Sequence, residues 1–214
     1  MDPDLKIATH NSIPNQEYAL YGSVLESEME TLLHRLRGLC GTMPGNGEPF
    51  EDHCVIYSFK HISPPICVRA VRPILLPSVP WRFLYYGDPG TLEAGRSLTQ
   101  RQIIDACCSV RLPKFLEDGL GFTVDYEYFF KGTAFAKGRV KILVGRVMKP
   151  ARDATGGVEK GEAITKSFLV EVSAVAFGGA ANEPSANEVV QFADLLLPIV
   201  KLERIDLKRF ASQI

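Results

Sequence analysis

The sequence predicts a mainly β protein: antiparallel strands forming a barrel or a sandwich, flanked by a few short α-helices. Three observations lead there. Short runs that alternate apolar and polar residues recur along most of the chain, turn residues separate most of them, and helical periodicity is confined to a few stretches. Such alternation marks strands with one face buried and one face wetter, which is the antiparallel pattern.

The elements follow in order. Residues 1–15 are expected to be a disordered tail; the opening Met1-Asp2-Pro3-Asp4 carries no positive region followed by an apolar run, so no secretory signal is expected. A first strand passes through Glu17, Tyr18 and Leu20. A helix follows, with Ser27 and Glu30 at capping-box spacing and Gly41 where a left-handed C-terminal cap belongs. Met29, Leu32, Leu33, Leu36 and Leu39 form its apolar stripe; Glu28, Thr31, Arg35 and Arg37 occupy the other side.

Val55, Tyr57 and Phe59 alternate with Ile56, Ser58 and Lys60, and Ile66, Val68 and Ala70 do the same between Pro65 and Pro73. Trp81, Phe83 and Tyr85 alternate with Arg82, Leu84 and Tyr86, and a β-branched stretch runs from Gln102 to Cys108. A helical piece over Pro113–Asp118 is ended by Gly119 and Gly121. The clearest β pattern comes next: Val124, Tyr126, Tyr128 and Phe130 point one way, Asp125, Glu127, Phe129 and Lys131 the other. Val140, Ile142 and Val144, then Phe168, Val170, Val172 and Ala174, repeat it.

Between these, the polar, Gly-rich ATGGVEKGEA segment reads as a long solvated hairpin loop. Gly178 to Asn187 reads as a second loop, from which Ser185 and Glu188 open a last helix that Pro198 stops. The KLERIDLKRF segment is expected to be a closing strand or tail that pairs with the body. The chain is expected to be a single domain over residues 1–214.

Composition excludes more than it selects. Of 214 residues, 24 are basic and 25 acidic, so net charge gives no argument for a nucleic-acid partner. Apolar runs are too short and interrupted for a helical membrane span. Five cysteines without a C-x-x-C pair read as buried, reduced thiols. His10, His34, His53 and His61 lie at no metal-ligand spacing; His34 reads as a helix residue and His53 as a strand-edge residue. Hydrolase-elbow, P-loop and zinc signatures are all missing. No catalytic residue, metal or cofactor is expected.

The ordered set LHRLRGLC (33–40), PWRFLYYG (80–87), FLEDGLGFTVDYEYFFKGTAFAKGRVKILVGRV (115–147), SFLVEVSAVA (167–176) and LPIVKLERIDLKRF (197–210) resembles the Mediator subunit 18 family. The first ten or so residues and the 42–50 and 150–163 loops find no counterpart in it. The resemblance implies an antiparallel β-barrel flanked by a few helices, similar to the tunnel of metal-dependent RNA triphosphatases. It implies a non-enzymatic, nuclear subunit in the head module of the RNA polymerase II Mediator. The implied partners are Mediator subunit 20, which has a related barrel, and a C-terminal helix of Mediator subunit 8.

Two other classes compete. A triphosphatase tunnel needs inward carboxylate pairs for a metal and inward cations for phosphate. Asp125, Glu127 and Lys131 share one face and Arg139 and Lys141 another, but a second carboxylate pair is missing, since Glu17 and Glu171 stand singly. A ligand-carrying barrel would need an apolar, unfilled interior. For the binding reading, Tyr18, Leu20, Leu33, Trp81 and Phe83 are the residues expected to help shape a partner face.

Overall fold

In the computed structural model, eight antiparallel strands close on themselves. The structure describes residues 15–41, 47–87, 98–152, 157–177 and 183–205. The strands are β1 (Asn15–Val24), β2 (Glu48–Phe59), β3 (Ile66–Pro73), β4 (Trp81–Tyr86), β5 (Thr99–Cys108), β6 (Thr123–Lys137), β7 (Val140–Arg152), β8 (Val158–Ala163) and β9 (Phe168–Ala176). Around the wall the order is β6-β2-β3-β4-β5-β1-β9-β7, and a β6–β7 pairing completes the circle; β8 extends β7 outside it. The expected antiparallel barrel is therefore the fold, and its closure leaves no free edge in the ring.

The principal core lies outside the barrel. Tyr18, Leu20, Ile142, Val144, Val170 and Val172 point outward from β1, β7 and β9 and are covered by α1 (Met29–Cys40) and by the helix near the C-terminus. Leu32, Leu33 and Leu36 are the buried part of the predicted α1 stripe, with Met29 and Leu39 at its margins. Leu36 is fully buried. Leu36→Ala is expected to destabilise the chain by about 2–5 kcal/mol, read as a lower denaturant midpoint with unchanged slope. A second cluster on the opposite outer wall joins Val55, Tyr57, Val68 and Ala70 to Leu112 and Leu116 of α2 (Leu112–Lys114), which runs on as a π-turn over Phe115–Gly119.

Several local expectations are corrected. Ser27 does not cap α1: it sits inside a 3₁₀ turn, Glu26–Glu28, and no side chain caps either start. The tight turn supplies the partner instead, Glu28 N–H donating to the Leu25 carbonyl at 3.1 Å. Gly41 has the expected positive φ of 73°, but with an extended ψ of −172° rather than a left-handed helical one. The last helix, α3 (Glu183–Asp194), begins before Ser185, because Pro184 fits a first helical turn; the buried Ser185 Oγ finds no partner.

The ATGGVEKGEA segment is not all loop. β8 pairs antiparallel with Met148–Arg152, and Lys160 Nζ donates to both oxygens of the buried Glu51 carboxylate at 2.8 and 3.0 Å. This ion pair ties the segment to β2, and residues 153–156 lie outside the described residues. Only Cys54 of the five cysteines is buried; Cys67 and Cys107 are exposed, since alternation carries them out of apolar surroundings. His53 is not at an edge: β2 is flanked by β3 and β6, and the ring stacks on Phe129 at 4.6 Å.

Beyond α3, Glu203 and Tyr21 exchange both backbone hydrogen bonds, at 2.8 and 2.9 Å, so the KLERIDLKRF segment does pair with the body at that point. Residues 206–210 of that segment and residues 1–14 of the expected 1–15 tail, His10 among them, lie outside the described residues, whereas Asn15 already belongs to β1.

Candidate functional site

Three surfaces follow from the barrel: two patches on its outer wall and the lumen within. Alternation assigns Tyr18, Leu20 and Leu33 to the core beneath α1 and α3, where they are 1%, 4% and 8% exposed. Trp81 and Phe83 lie half-buried on the opposite outer wall, beside α2. The five candidate residues therefore do not converge. Beside Trp81 is a feature that single-residue reading missed. His53 lies 6.4 Å from the Trp81 ring, and its Nε2 is 2.9 Å from Glu127 Oε2. The signal was present, since His53 and Glu127 each sit on the face of their strand that carries Val55 or Phe129, but pairing of β2 with β6 was needed to bring them together.

The second patch is a groove between α3 and the β6–β7 turn, about 480 Å³ in volume, lined by Lys137, Arg139, Val140, Glu188, Phe192 and Leu195. Arg35 of α1 frames the neighbouring chain: its Nη1 donates to the Leu195 carbonyl at 3.2 Å and the Leu197 carbonyl at 2.7 Å. That fixes the α1–α3 junction, with Leu195 and Leu197 left exposed. A position read from sequence as polar helix surface thus joins two helices.

The lumen is a cavity of about 600 Å³ to which all eight ring strands contribute. Its lining is charged. One group comprises Asp52, Arg82, Asp105 and Lys141, with Arg82 bonded to both oxygens of Asp105 at 3.2 and 2.5 Å. Burial pushes the Asp52 carboxyl above its ordinary range, opposed by Lys141 and Arg82. The other group comprises Glu17, Glu171, Arg69 and Arg101. Arg101 Nε donates to Glu17 Oε2 at 2.6 Å and Nη2 to the Tyr21 hydroxyl at 3.0 Å, while the guanidinium lies 3.7 Å from the Tyr86 ring centre. Burial also pushes the Glu17 carboxyl up, only partly offset by Arg101. An apolar belt of Cys54, Val71, Leu84 and Ile103 interrupts these charges, and burial pushes the Cys54 thiol up to about 11.

This arrangement decides against the two competing classes. Asp125, Glu127 and Lys131 share a face as expected, but it is the outer one: Asp125 pairs with Lys60 at 2.6 Å, Glu127 with His53, and Lys131 with Glu51 at 3.7 Å. Carboxylates turned away from the lumen cannot hold a metal against a substrate inside it. Arg139 and Lys141 do face the lumen, as do Glu17 and Glu171. Among the described residues, no three His, Cys, Asp or Glu side chains come together as a metal-holding group. The charged lining likewise differs from the apolar interior that a carrier of apolar ligands needs.

Comparison with known proteins gives a consistent set of likenesses. The family model described as Med18 protein matches residues 16–73 and 68–213. Mediator of RNA polymerase II transcription subunit 18 from Xenopus laevis is 41% identical over 199 residues, covering 92% of each chain. The protein of the same name from Danio rerio is 39% identical over 202 residues, covering 94% of each. Among solved structures, a chain of the Schizosaccharomyces pombe Mediator head module superposes with a TM-score of 0.70 at 14% identity, over 89% of this chain and 98% of that one. At that identity the likeness is one of fold.

Proposed function

Because this chain belongs to the Mediator subunit 18 family, we propose that it is a non-catalytic structural subunit of the Mediator co-activator complex, acting in the nucleus within the head module. The observation that carries this reading is identity of 41% to a curated subunit 18 over nearly the full length of both chains. Its mechanism is binding. The outer wall offers apolar surfaces rather than a reaction centre, and among the described residues no helix is long and apolar enough to cross a membrane.

Two contacts make up the proposal. The broad outer wall at Trp81 and Phe83 takes a second barrel, Mediator subunit 20. The groove along α3 takes an amphipathic helix, the C-terminal helix of Mediator subunit 8, in the helix-in-groove mode. Lys137 and Arg139 against Glu188 give that groove charges of both signs at its rim, and Phe192 and Leu195 give it an apolar floor.

Affinity purification of the tagged chain from nuclear extract tests the reading. Recovery of head-module subunits, with subunits 20 and 8 the most salt-resistant, is the expected result; a chain that emerges without them overturns it. Trp81→Ala in the same experiment is expected to lower recovery of subunit 20 at least several-fold. A variant with lower thermal stability whose folded fraction keeps full partner affinity would show Trp81 to be wall and not interface.

A further inference from the structure

The lumen holds more positive charge than its own carboxylates engage. Arg101 is bonded to Glu17 and Arg82 to Asp105, which accounts for two cations and two acids. Three further basic side chains line the same cavity, Arg69, Arg139 and Lys141; Arg69 feels the charge of Glu171 and Lys141 that of Asp52, but the Arg69 Nε is buried without a hydrogen-bond partner among the described residues. The carboxylates left for them are Asp52 and Glu171.

Arg69 is the most telling of the three. It lies on β3 opposite Ile56 and Leu84, and its guanidinium stands 5.3 Å from the Tyr86 ring centre and 5.9 Å from that of Tyr128. These rings hold it by their electron-rich faces but accept none of its N–H groups. Its Nε is buried and has no hydrogen-bond partner. A guanidinium has five N–H donors in a fixed fork and stays charged under all ordinary conditions, so a buried, unbonded edge is costly unless something accepts from it. The fork matches the spacing of oxygens on a phosphate or carboxylate.

Lys141 on the inner face of β7 and Arg139 in the turn just before it both line the cavity and are solvent-exposed. They are free to meet an arriving anion, whereas Arg69 is positioned to bond it inside. A cavity of about 600 Å³ is within the size of ordinary small-molecule sites. Its walls offer aromatic rings as well as charge, Tyr86, Tyr128 and Phe130 among them.

From this geometry we propose that the barrel lumen is a binding site for a small multivalent oxyanion, bonded by Arg69 and drawn in by Lys141 and Arg139. Arg69 and Lys141 lie inside the wall, so their part of the site is independent of which subunits cover the outside, whereas Arg139 stands at the turn shared with the α3 groove. Loss of the anion site would leave the assembly reading standing, and failure of assembly would leave the anion site standing.

Isothermal titration of the full chain with inorganic tripolyphosphate, at low ionic strength where charge is least screened, is the test. Citrate serves as the carboxylate arm. Saturable binding at one site is expected, weakened about tenfold or more by Arg69→Met, which keeps the packing stem and removes the fork. Lys141→Gln, at an exposed position whose charge acts on Asp52, is expected to weaken it in the same direction and remains informative if the Arg69 variant does not fold. Lys60→Gln on the outer wall is expected to leave affinity unchanged.

Tighter binding of tripolyphosphate than of citrate would assign the site to phosphorylated ligands; equal binding would assign it to oxyanions by charge. Absence of saturable heat for both anions up to about 1 mM, a concentration that would reveal affinities of about −4 kcal/mol, overturns the proposal. Equal weakening by Lys60→Gln and Lys141→Gln overturns it as well, because binding would then follow net charge and not the lumen.

Discussion

Replacing Arg101 by methionine is expected to destabilise the chain by about 3–5 kcal/mol at neutral pH, the range found when one partner of a buried ion pair is removed. Arg101 and Glu17 face each other directly across the β1–β5 ladder, and the Glu17 residue is only 4% exposed. The guanidinium satisfies three groups at once: the Glu17 carboxylate, the Tyr21 hydroxyl and the face of the Tyr86 ring. Methionine fills the stem volume and leaves the carboxylate buried without its partner. Combining Arg101→Met with Glu17→Leu is expected to recover most of the loss, since a buried pair exchanged for apolar residues is often neutral or better.

The same variant carries a pH signature. Burial holds the Glu17 carboxyl above its ordinary value in the folded chain, and Arg101 is the principal influence bringing it back down. An acid whose folded value is raised binds its proton more tightly folded than unfolded. Its contribution to stability therefore falls as pH rises through the window from the ordinary carboxylate value up to the raised one. Without Arg101 that window extends further upward. The stability difference between the wild-type chain and Arg101→Met should thus grow from pH 5 to pH 8, as measured by denaturant unfolding at each pH. A difference that stays constant over that range would show that losing Arg101 does not raise the Glu17 carboxyl further, and would overturn this prediction.

Gly132→Ala is expected to destabilise by about 3 kcal/mol, the upper end of the overpacking range, because the obstacle is backbone and cannot rotate away. Gly132 and Gly145 are directly opposed partners in the β6–β7 ladder. A Cβ on Gly132 would fall 2.0 Å from the Val144 carbonyl oxygen and 2.5 Å from the Gly145 Cα. This is the ladder whose pairing completes the ring, and the two glycines let the strands approach there. At about 2–4 °C per kcal/mol for a chain of this size, thermal unfolding should move down by about 6–12 °C. Gly38→Ala is the contrast: within α1 its Cβ would meet nothing within 4 Å, and a gain of about 0.5–1 kcal/mol is expected. Similar shifts for both variants would refute the close-approach argument.

The legibility of these features in the sequence was uneven for physical reasons. The β6 alternation was plain from residues 124 to 131, and the structure keeps Tyr128 and Phe130 together on one face and Glu127 and Phe129 on the other. Which face was inside was not legible. A strand with aromatics on both sides has two apolar faces, and the one turned to the lumen is chosen by the closure of the ring. Asp125 and Glu127 have the same-face spacing of tunnel carboxylates, yet both lie outside. The cap at Ser27 failed differently: a 3₁₀ turn can satisfy the first donors of a helix without a side chain, and nothing in a S-x-x-E spacing excludes it. β8 is not legible in the sequence because three glycines and mixed charge read as loop, whereas the Lys160–Glu51 pair that anchors it bridges residues 109 apart.

The residues alone determined the β periods, the apolar stripe of α1, the antiparallel class and, through five ordered segments, the family. These are local properties: alternation and stripe spacing are written into consecutive residues, and a family pattern is an order of such pieces. Only the tertiary structure decided that the main core lies between barrel and helices and that the lumen is charged. It also brought together Arg69, Arg82, Arg101 and Lys141 from four strands, with Arg139 from the β6–β7 turn. Those side chains are set on one inner surface by strand register and ring closure, which depend on pairings between residues far apart in the chain. No local period encodes which of two faces a closed sheet turns inward.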